Sequence, residues 1–153
     1  MSQYNLGFNP DEVYYAGGSD LYVHNYYADV WVIYDYPSME RKDYLNLGDY
    51  RYLESIYDGY VYYTYWGFLA NNDEETGTYR IKKDGTGKEK ISDTVLDNLM
   101  FSSNGKLYCS AYSSESKPGT GLVTSYSISF YRMDANGNNV EILDVATYST
   151  NYQ

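Results

Sequence analysis

Leu47-Gly48-Asp49, then Tyr52, Ile56-Tyr57, Asp58-Gly59 and Val61-Tyr62-Tyr63: this succession decides the fold, because the chain repeats it. From Ile91 it reads Ile91-Ser92-Asp93, then Leu96, Met100-Phe101, Asn104-Gly105 and Leu107-Tyr108-Cys109. The offset is 44 from Leu47 to Ile91 and 46 from Gly59 to Gly105, the two extra residues being Ser102 and Ser103. Apolar, acidic and turn positions agree together, which marks two copies of one unit.

A third copy is split between the ends of the chain. Upstream, Asp11-Glu12-Val13-Tyr14-Tyr15 aligns with the segment from Asp58 to Tyr63, Val13 lying 48 residues before Val61. Downstream, Ile142-Leu143-Asp144 aligns with Ile91-Ser92-Asp93 at an offset of 51. Inside the unit, Tyr79-Arg80-Ile81-Lys82-Lys83-Asp84-Gly85 aligns with Tyr131-Arg132-Met133-Asp134-Ala135-Asn136-Gly137. In the first copy this stretch has diverged to Val32-Ile33-Tyr34-Asp35-Tyr36-Pro37-Ser38.

A period near this length is that of β-propeller blades, each with four strands. In the middle copy the strands are expected near Arg51–Tyr57, Tyr60–Trp66, Thr78–Lys83 and Glu89–Ile91. Asp58-Gly59 and Asn104-Gly105 are expected to close two-residue hairpins, with Asp84-Gly85 and Asn136-Gly137 turning the chain later in the unit. The 13 glycines and only 3 prolines suit many short strands joined by tight turns. A short helix after Asp93 competes with a strand there, and the Tyr52 and Ile56 counterpart favours the strand.

The expected fold is therefore all-β: about three four-stranded antiparallel blade repeats in a single domain of residues 1–153. That is a partial propeller or one half of a six-bladed ring. The blades are placed at residues 1–48, 49–92 and 93–144, with a surplus C-terminal strand at 145–152. Tyr4 to Phe8 reads as an opening strand.

Composition limits the partners. With a formal net charge of −10, the surface repels phosphate backbones and acidic lipids, so no nucleic-acid partner is expected. No apolar run is long enough for a membrane-spanning helix, so no membrane insertion is expected, and Met1 to Pro10 lacks the pattern of a signal peptide. Cys109 is the only cysteine, which excludes an intramolecular disulfide and a cysteine-based zinc site and reads as a buried small hydrophobe.

Val61-Tyr62-Tyr63-Thr64, followed by Tyr79-Arg80-Ile81-Lys82-Lys83-Asp84-Gly85-Thr86-Gly87, resembles a bacterial Tyr-rich β-propeller domain of unknown function. That domain is similar in turn to the Tyr-Trp-Thr-Asp propellers of lipoprotein receptors. Leu107-Tyr108 and Tyr131-Arg132-Met133-Asp134 echo the pattern, and the resemblance covers Asp49 to Leu143. It implies a propeller fold and an extracellular or cell-surface setting. The aspartate that ends the receptor motif is absent: Gly17, Tyr65 and Ala111 stand there in the three copies, so that aspartate's role is not carried over.

Catalysis finds little footing. His24 is the only histidine, in a polar-aromatic stretch that reads as surface or loop, and no acid pair can be assembled from the sequence. No cofactor and no metal site is expected. Asp134 to Asn139 with Glu141 has the alternating oxygen ligands of a calcium loop, but its counterpart at Asp84 lacks them and a shared hairpin turn explains both. Asn71-Asn72-Asp73-Glu74-Glu75 reads as a solvated acidic loop, and Asp49, Asp93 and Asp144 as turn-capping residues.

Aromatic residues are the binding candidates. The chain carries 23 tyrosines, more than three blades need inside. Tyr26, Trp31, Tyr65 and Trp66 are singled out as binding residues. Tyr62, Thr64 and Trp66 share one strand face and Tyr63 and Tyr65 the other, so one set is expected in the core and the other exposed. The function that follows is a non-catalytic binding or assembly module presenting Tyr-rich surfaces to a protein or glycan ligand, in a homo-oligomer or beside further blades of a longer chain. The alternatives are a structural repeat of a larger particle or filament protein and a carbohydrate-active propeller enzyme.

Overall fold

The computed structural model describes residues 6–67 and 74–149. These residues hold twelve strands and no helix. In chain order they are β1 (Pro10–Tyr15), β2 (Asp20–Asn25), β3 (Val30–Asp35), β4 (Glu40–Leu45), β5 (Arg51–Tyr57), β6 (Tyr60–Tyr65), β7 (Gly77–Lys82), β8 (Glu89–Ser92), β9 (Asp97–Phe101), β10 (Lys106–Ser116), β11 (Val123–Asp134) and β12 (Glu141–Ser149). They form three four-stranded antiparallel meanders, β1–β4, β5–β8 and β9–β12.

Turn chemistry sets these boundaries. Asp58 and Gly59, with φ of 49° and 78°, form the two-residue link that leaves Tyr57 paired with Tyr60. The link at Gly105 differs from the expected two-residue hairpin. Ser102 N–H donates to Lys106 O and Gly105 N–H to Ser102 O, so the loop is Ser103-Asn104-Gly105, with only the glycine at positive φ. Lys83-Asp84-Gly85 and Ala135-Asn136-Gly137 close with the same bond pattern. One three-residue loop with a left-handed glycine thus serves three places.

The first repeat is registered differently from its sequence alignment. Val13-Tyr14-Tyr15 lies in the first strand of its sheet, whereas Val61-Tyr62-Tyr63 lies in the second. The residues that take the place of Val61, Tyr62 and Tyr63 are Leu21, Tyr22 and Val23 in β2, and Asn25 rather than Gly17 takes the place of Tyr65. Adjacent strands of a sheet carry the same two-residue alternation, so a slip by one whole strand still matches apolar to apolar.

The sheets stack face to face in chain order. Tyr22, Trp31, Ile33 and Leu45 of the first pack on Val61 of the second. Tyr62 and Ile91 of the second pack on Leu99, Leu107, Cys109, Ala111 and Met133 of the third. The middle sheet is therefore covered on both sides, and Tyr62, Tyr63, Thr64 and Tyr65 are all buried, against the expectation that one face would be exposed. Polar ties cross the same interfaces. Tyr14 Oη lies 3.1 Å from Ser55 Oγ between the first pair of sheets, and Tyr62 O–H donates to Ala135 O at 2.7 Å between the second pair.

Two expectations at the chain ends are corrected. Residues 145–149 are not a surplus strand: they continue β12 and pair with β11, from Val145 opposite Ser129 to Ser149 opposite Ser125. Asp144 falls in mid-strand, where its carboxylate accepts the following N–H, instead of capping a turn. Leu6 to Phe8 are not a strand; Leu6 and Phe8 pack over Val23, Val32 and Tyr34 on the outer face of the first sheet. Tyr4, Asn5 and residues 150–152 lie outside the described residues.

Candidate functional site

A cleft of about 410 Å³ opens between the first two sheets, lined by residues of β1, β2, β3 and the start of β5. Its position follows from three local features. A bulge in β1 between Pro10 and Glu12 sets Asp11 out of register with β2. The β2–β3 link is a four-residue loop, Tyr26 to Asp29, held by Asn25, whose side-chain oxygen accepts the N–H groups of Tyr27 and Ala28. The third is Tyr50 in the chain entering β5, held at a φ of 57°. A bulky side chain rarely adopts that conformation, and here its carbonyl is fixed by the N–H of Trp66 at 3.1 Å.

These features gather one histidine and two carboxylates. His24 Nδ1 lies 2.6 Å from Asp11 Oδ1, and its Nε2 lies 3.0 Å from Asp29 Oδ1. Its cross-strand neighbour Trp31 places an indole 5.0 Å away, tilted by 46°. Burial works against protonation of His24, but the two carboxylate hydrogen bonds outweigh it and its pKa is raised above the ordinary value. When protonated, the imidazole donates from both ring nitrogens and is held in one orientation between the two carboxylates.

The far wall is built around Arg51. Its guanidinium stands 4.0 Å over the Tyr65 ring and pairs with Glu74. Burial opposes ionisation of Glu74, yet Lys88 at 2.5 Å and Arg51 together lower its pKa. Glu74 is thus a structural ion-pair partner rather than part of a solvated acidic loop; Asn71, Asn72 and Asp73 lie outside the described residues. Glu12 and Asp49 also line the cleft, and their carboxylates have no hydrogen-bond or ion-pair partner among the described residues. Exposed Tyr26, Tyr50 and Tyr52 form the rim, with Leu53 below.

Of the four aromatic residues singled out in the sequence, Tyr26 and Trp31 meet in this cleft. Tyr65 does not reach it: the residue is fully buried and serves as the platform beneath Arg51. Trp66 lies just behind Tyr50, joined through its backbone. His24 lies in β2 rather than in a loop and is partly exposed, its side chain 16% accessible. The cluster of Asp11, His24 and Asp29 is not visible in the sequence, although Asp29 follows His24 across one hairpin loop.

The oxygen groups of the calcium-like loop are engaged elsewhere. Asp134 takes hydrogen bonds from Lys106 and Asn139, Asn136 from the N–H of Asn138, and Glu141 pairs with Arg132. Cys109 is buried between the second and third sheets, and burial pushes its thiol up to about 11.

No protein-family model matches the chain, and no curated protein is significantly similar to it.

Proposed function

We propose that the chain is a non-catalytic binding module, a partial propeller whose cleft between the first two sheets takes a neutral or amino-bearing glycan. One observation carries this reading: Glu12 and Asp49, two carboxylates without a hydrogen-bond or ion-pair partner among the described residues, line the cleft together with Tyr26, Tyr50, Tyr52 and Trp31. Carboxylates accept hydrogen bonds from sugar hydroxyls, while ring faces cover the C–H faces of the sugar. Four lining carboxylates against the two cations His24 and Arg51 repel anionic ligands.

The absence of catalysis rests on the same geometry. Both nitrogens of His24 are already engaged, so neither is free to act as a base, and no serine, threonine or cysteine lines the cleft among the described residues. The propeller reading rests on the stacking of like units and on the first strands β5 and β9, which lie against each other as inner strands do about a common axis.

A thermal-shift screen with neutral, amino-bearing and acidic oligosaccharides tests it, run beside a turnover assay on the same compounds. A ligand at 100 times its Kd stabilises by about 2.7 kcal/mol. Neutral or amino sugars should raise the melting temperature while acidic ones do not. Turnover would favour the carbohydrate-active enzyme, and a screen without any shift would remove the glycan reading.

A further inference from the structure

The third sheet differs from the other two in the reach of its second strand. In the first sheet β1 flanks β2 from Leu21 to Asn25, and in the second β5 flanks β6 from Tyr60 to Tyr65. β10 is 11 residues long, and β9 leaves it at Ser110, opposite Asp97. The chain ahead of β9 cannot follow β10 further, because it is tied to the second sheet. Leu96 is buried there, its N–H donates to Thr78 Oγ1 at 2.9 Å, and that hydroxyl donates to Thr94 O at 2.7 Å. Asn98, at a φ of 55°, donates from its side-chain amide to Ser110 Oγ and fixes the end of the pairing. From Ala111 to Ser116, β10 therefore pairs with β11 alone among the described residues.

The hydrogen bonds at the two ends of β10 show which groups this leaves free. Lys106 O accepts the Ser102 N–H on the β9 side, whereas Glu115 O accepts the Thr124 hydroxyl on the β11 side. Successive residues of a strand turn their N–H and C=O to opposite edges. Tyr112, Ser114 and Ser116 share the parity of Lys106, so they aim theirs away from β11, and all three residues are exposed. Other edges are blunted. The N–H of Tyr44 in β4 and that of Val145 in β12 are each taken by the carboxylate of the preceding aspartate, and β8 carries Glu89 and Lys90. From Ala111 to Ser116 the β10 edge has no proline, no lysine and no aspartate.

Charge selects the occupant. The whole chain carries a net charge of −10, which sets copies against each other. Yet Tyr112 to Ser129 holds just Glu115 and Lys117, and Val145 to Ser149 holds no charge. We infer that the β10 edge of one copy pairs antiparallel with the β10 edge of a second copy across a two-fold axis at Ser114, Tyr112 of each facing Ser116 of the other. Such a contact is isologous and closes as a dimer. Glu115 then stands opposite Ser113 of the second copy rather than its Glu115. The rings of Tyr112 and Tyr126, 5.8 Å apart in one copy, continue across the axis as a single aromatic face. The pairing does not depend on the glycan reading of the cleft, which is lined by the first two sheets.

Light scattering on the size-fractionated chain tests the mass, and amide hydrogen exchange locates the contact. The unaltered chain should show twice its 17.7 kDa mass. The Tyr112 and Ser114 amides should exchange slowly in the dimer and as fast as exposed amides once dilution separates the copies. Ser114→Pro removes an outward N–H and no bond to β11, a change that strand edges tolerate. It should keep the melting transition and run as a monomer. A monomeric unaltered chain, a multiple above two, or a dimer that survives Ser114→Pro would each overturn the inference. So would a dimer whose Tyr112 and Ser114 amides exchange freely, a result that needs no variant.

Discussion

Gly137→Ala probes the seam between the second and third sheets at one carbon atom. Gly137 has a φ of +88°, and a Cβ there would stand 2.2 Å from Ile91 O and 2.9 Å from Ile91 C and Cα. Every one of these is backbone of β8, so no side chain can swing aside. To restore ordinary contact the loop and β8 must part by roughly 1 Å. That strain is of the overpacking kind, costing about 1–3 kcal/mol. The left-handed backbone adds about 1–2 kcal/mol once a Cβ is present. The expected loss is therefore about 2–5 kcal/mol, a large share of the ~5–15 kcal/mol that holds a domain. Gly85 is the internal control: it occupies the same loop one sheet earlier, at a φ of +85°, with nothing within 4 Å of its Cβ position. Gly85→Ala should lose only the backbone share, about 1–2 kcal/mol. Urea unfolding followed by circular dichroism reads both. Equal losses at the two glycines would refute the seam, because they would mean that Gly137 has no neighbouring backbone to meet.

Gly59→Val, in the two-residue turn between β5 and β6, should destabilise by about 1–3 kcal/mol, because a β-branched residue is strained at its φ of 78°; an unchanged denaturant midpoint would show a different turn. His24 gives stability a pH slope. Its raised folded-state pKa means that its contribution is complete below the unfolded value near ~6.5 and is lost as pH rises through the folded value. The urea midpoint of the wild type should fall across that window and that of His24→Gln should stay flatter; parallel profiles would show that the two carboxylates do not hold the ring. Cys109, buried with its thiol raised to about 11, should resist a thiol reagent in the native protein and react at the rate of unfolding. Immediate labelling without denaturant would contradict the packing of the third sheet on the second.

The middle sheet was legible because turn residues bracket every strand of it. Asp58-Gly59 and Asp84-Gly85 mark two of its three reversals, and β5 runs from Arg51 to Tyr57 as expected, with β6 and β7 within a residue or so. The first sheet was harder. Its β1–β2 link, Ala16 to Ser19, has no aspartate-glycine or asparagine-glycine pair, so the alternation of β1 reads like that of a second strand. The far end of β12 was hidden for the opposite reason: Asp144 resembles Asp93 in its local sequence but sits in a strand lengthened to match β11. The cleft was the least legible part. Asp11 reaches His24 through a bulge, and bulges leave no mark in the alternation of side chains. Trp31, which lines the cleft, stands out in the sequence by its type alone. Tyr65 was misplaced because a strand between two sheets buries both faces, and one strand's sequence does not show how many sheets flank it.

The proposed binding role of the cleft is tested most directly at Trp31. The chain has two tryptophans, Trp31 and Trp66, so a proton–nitrogen correlation spectrum carries two indole N–H signals. Replacing Trp66 by Phe assigns them. An oligosaccharide that raises the melting temperature is then titrated into the labelled protein. The Trp31 signal should move in a saturable way, with a midpoint that matches the thermal titration, and Glu12→Gln with Asp49→Asn should weaken that midpoint without shifting the melting temperature of the free protein. A sugar that stabilises the protein while the Trp31 signal stays in place would put the binding site elsewhere and contradict the account.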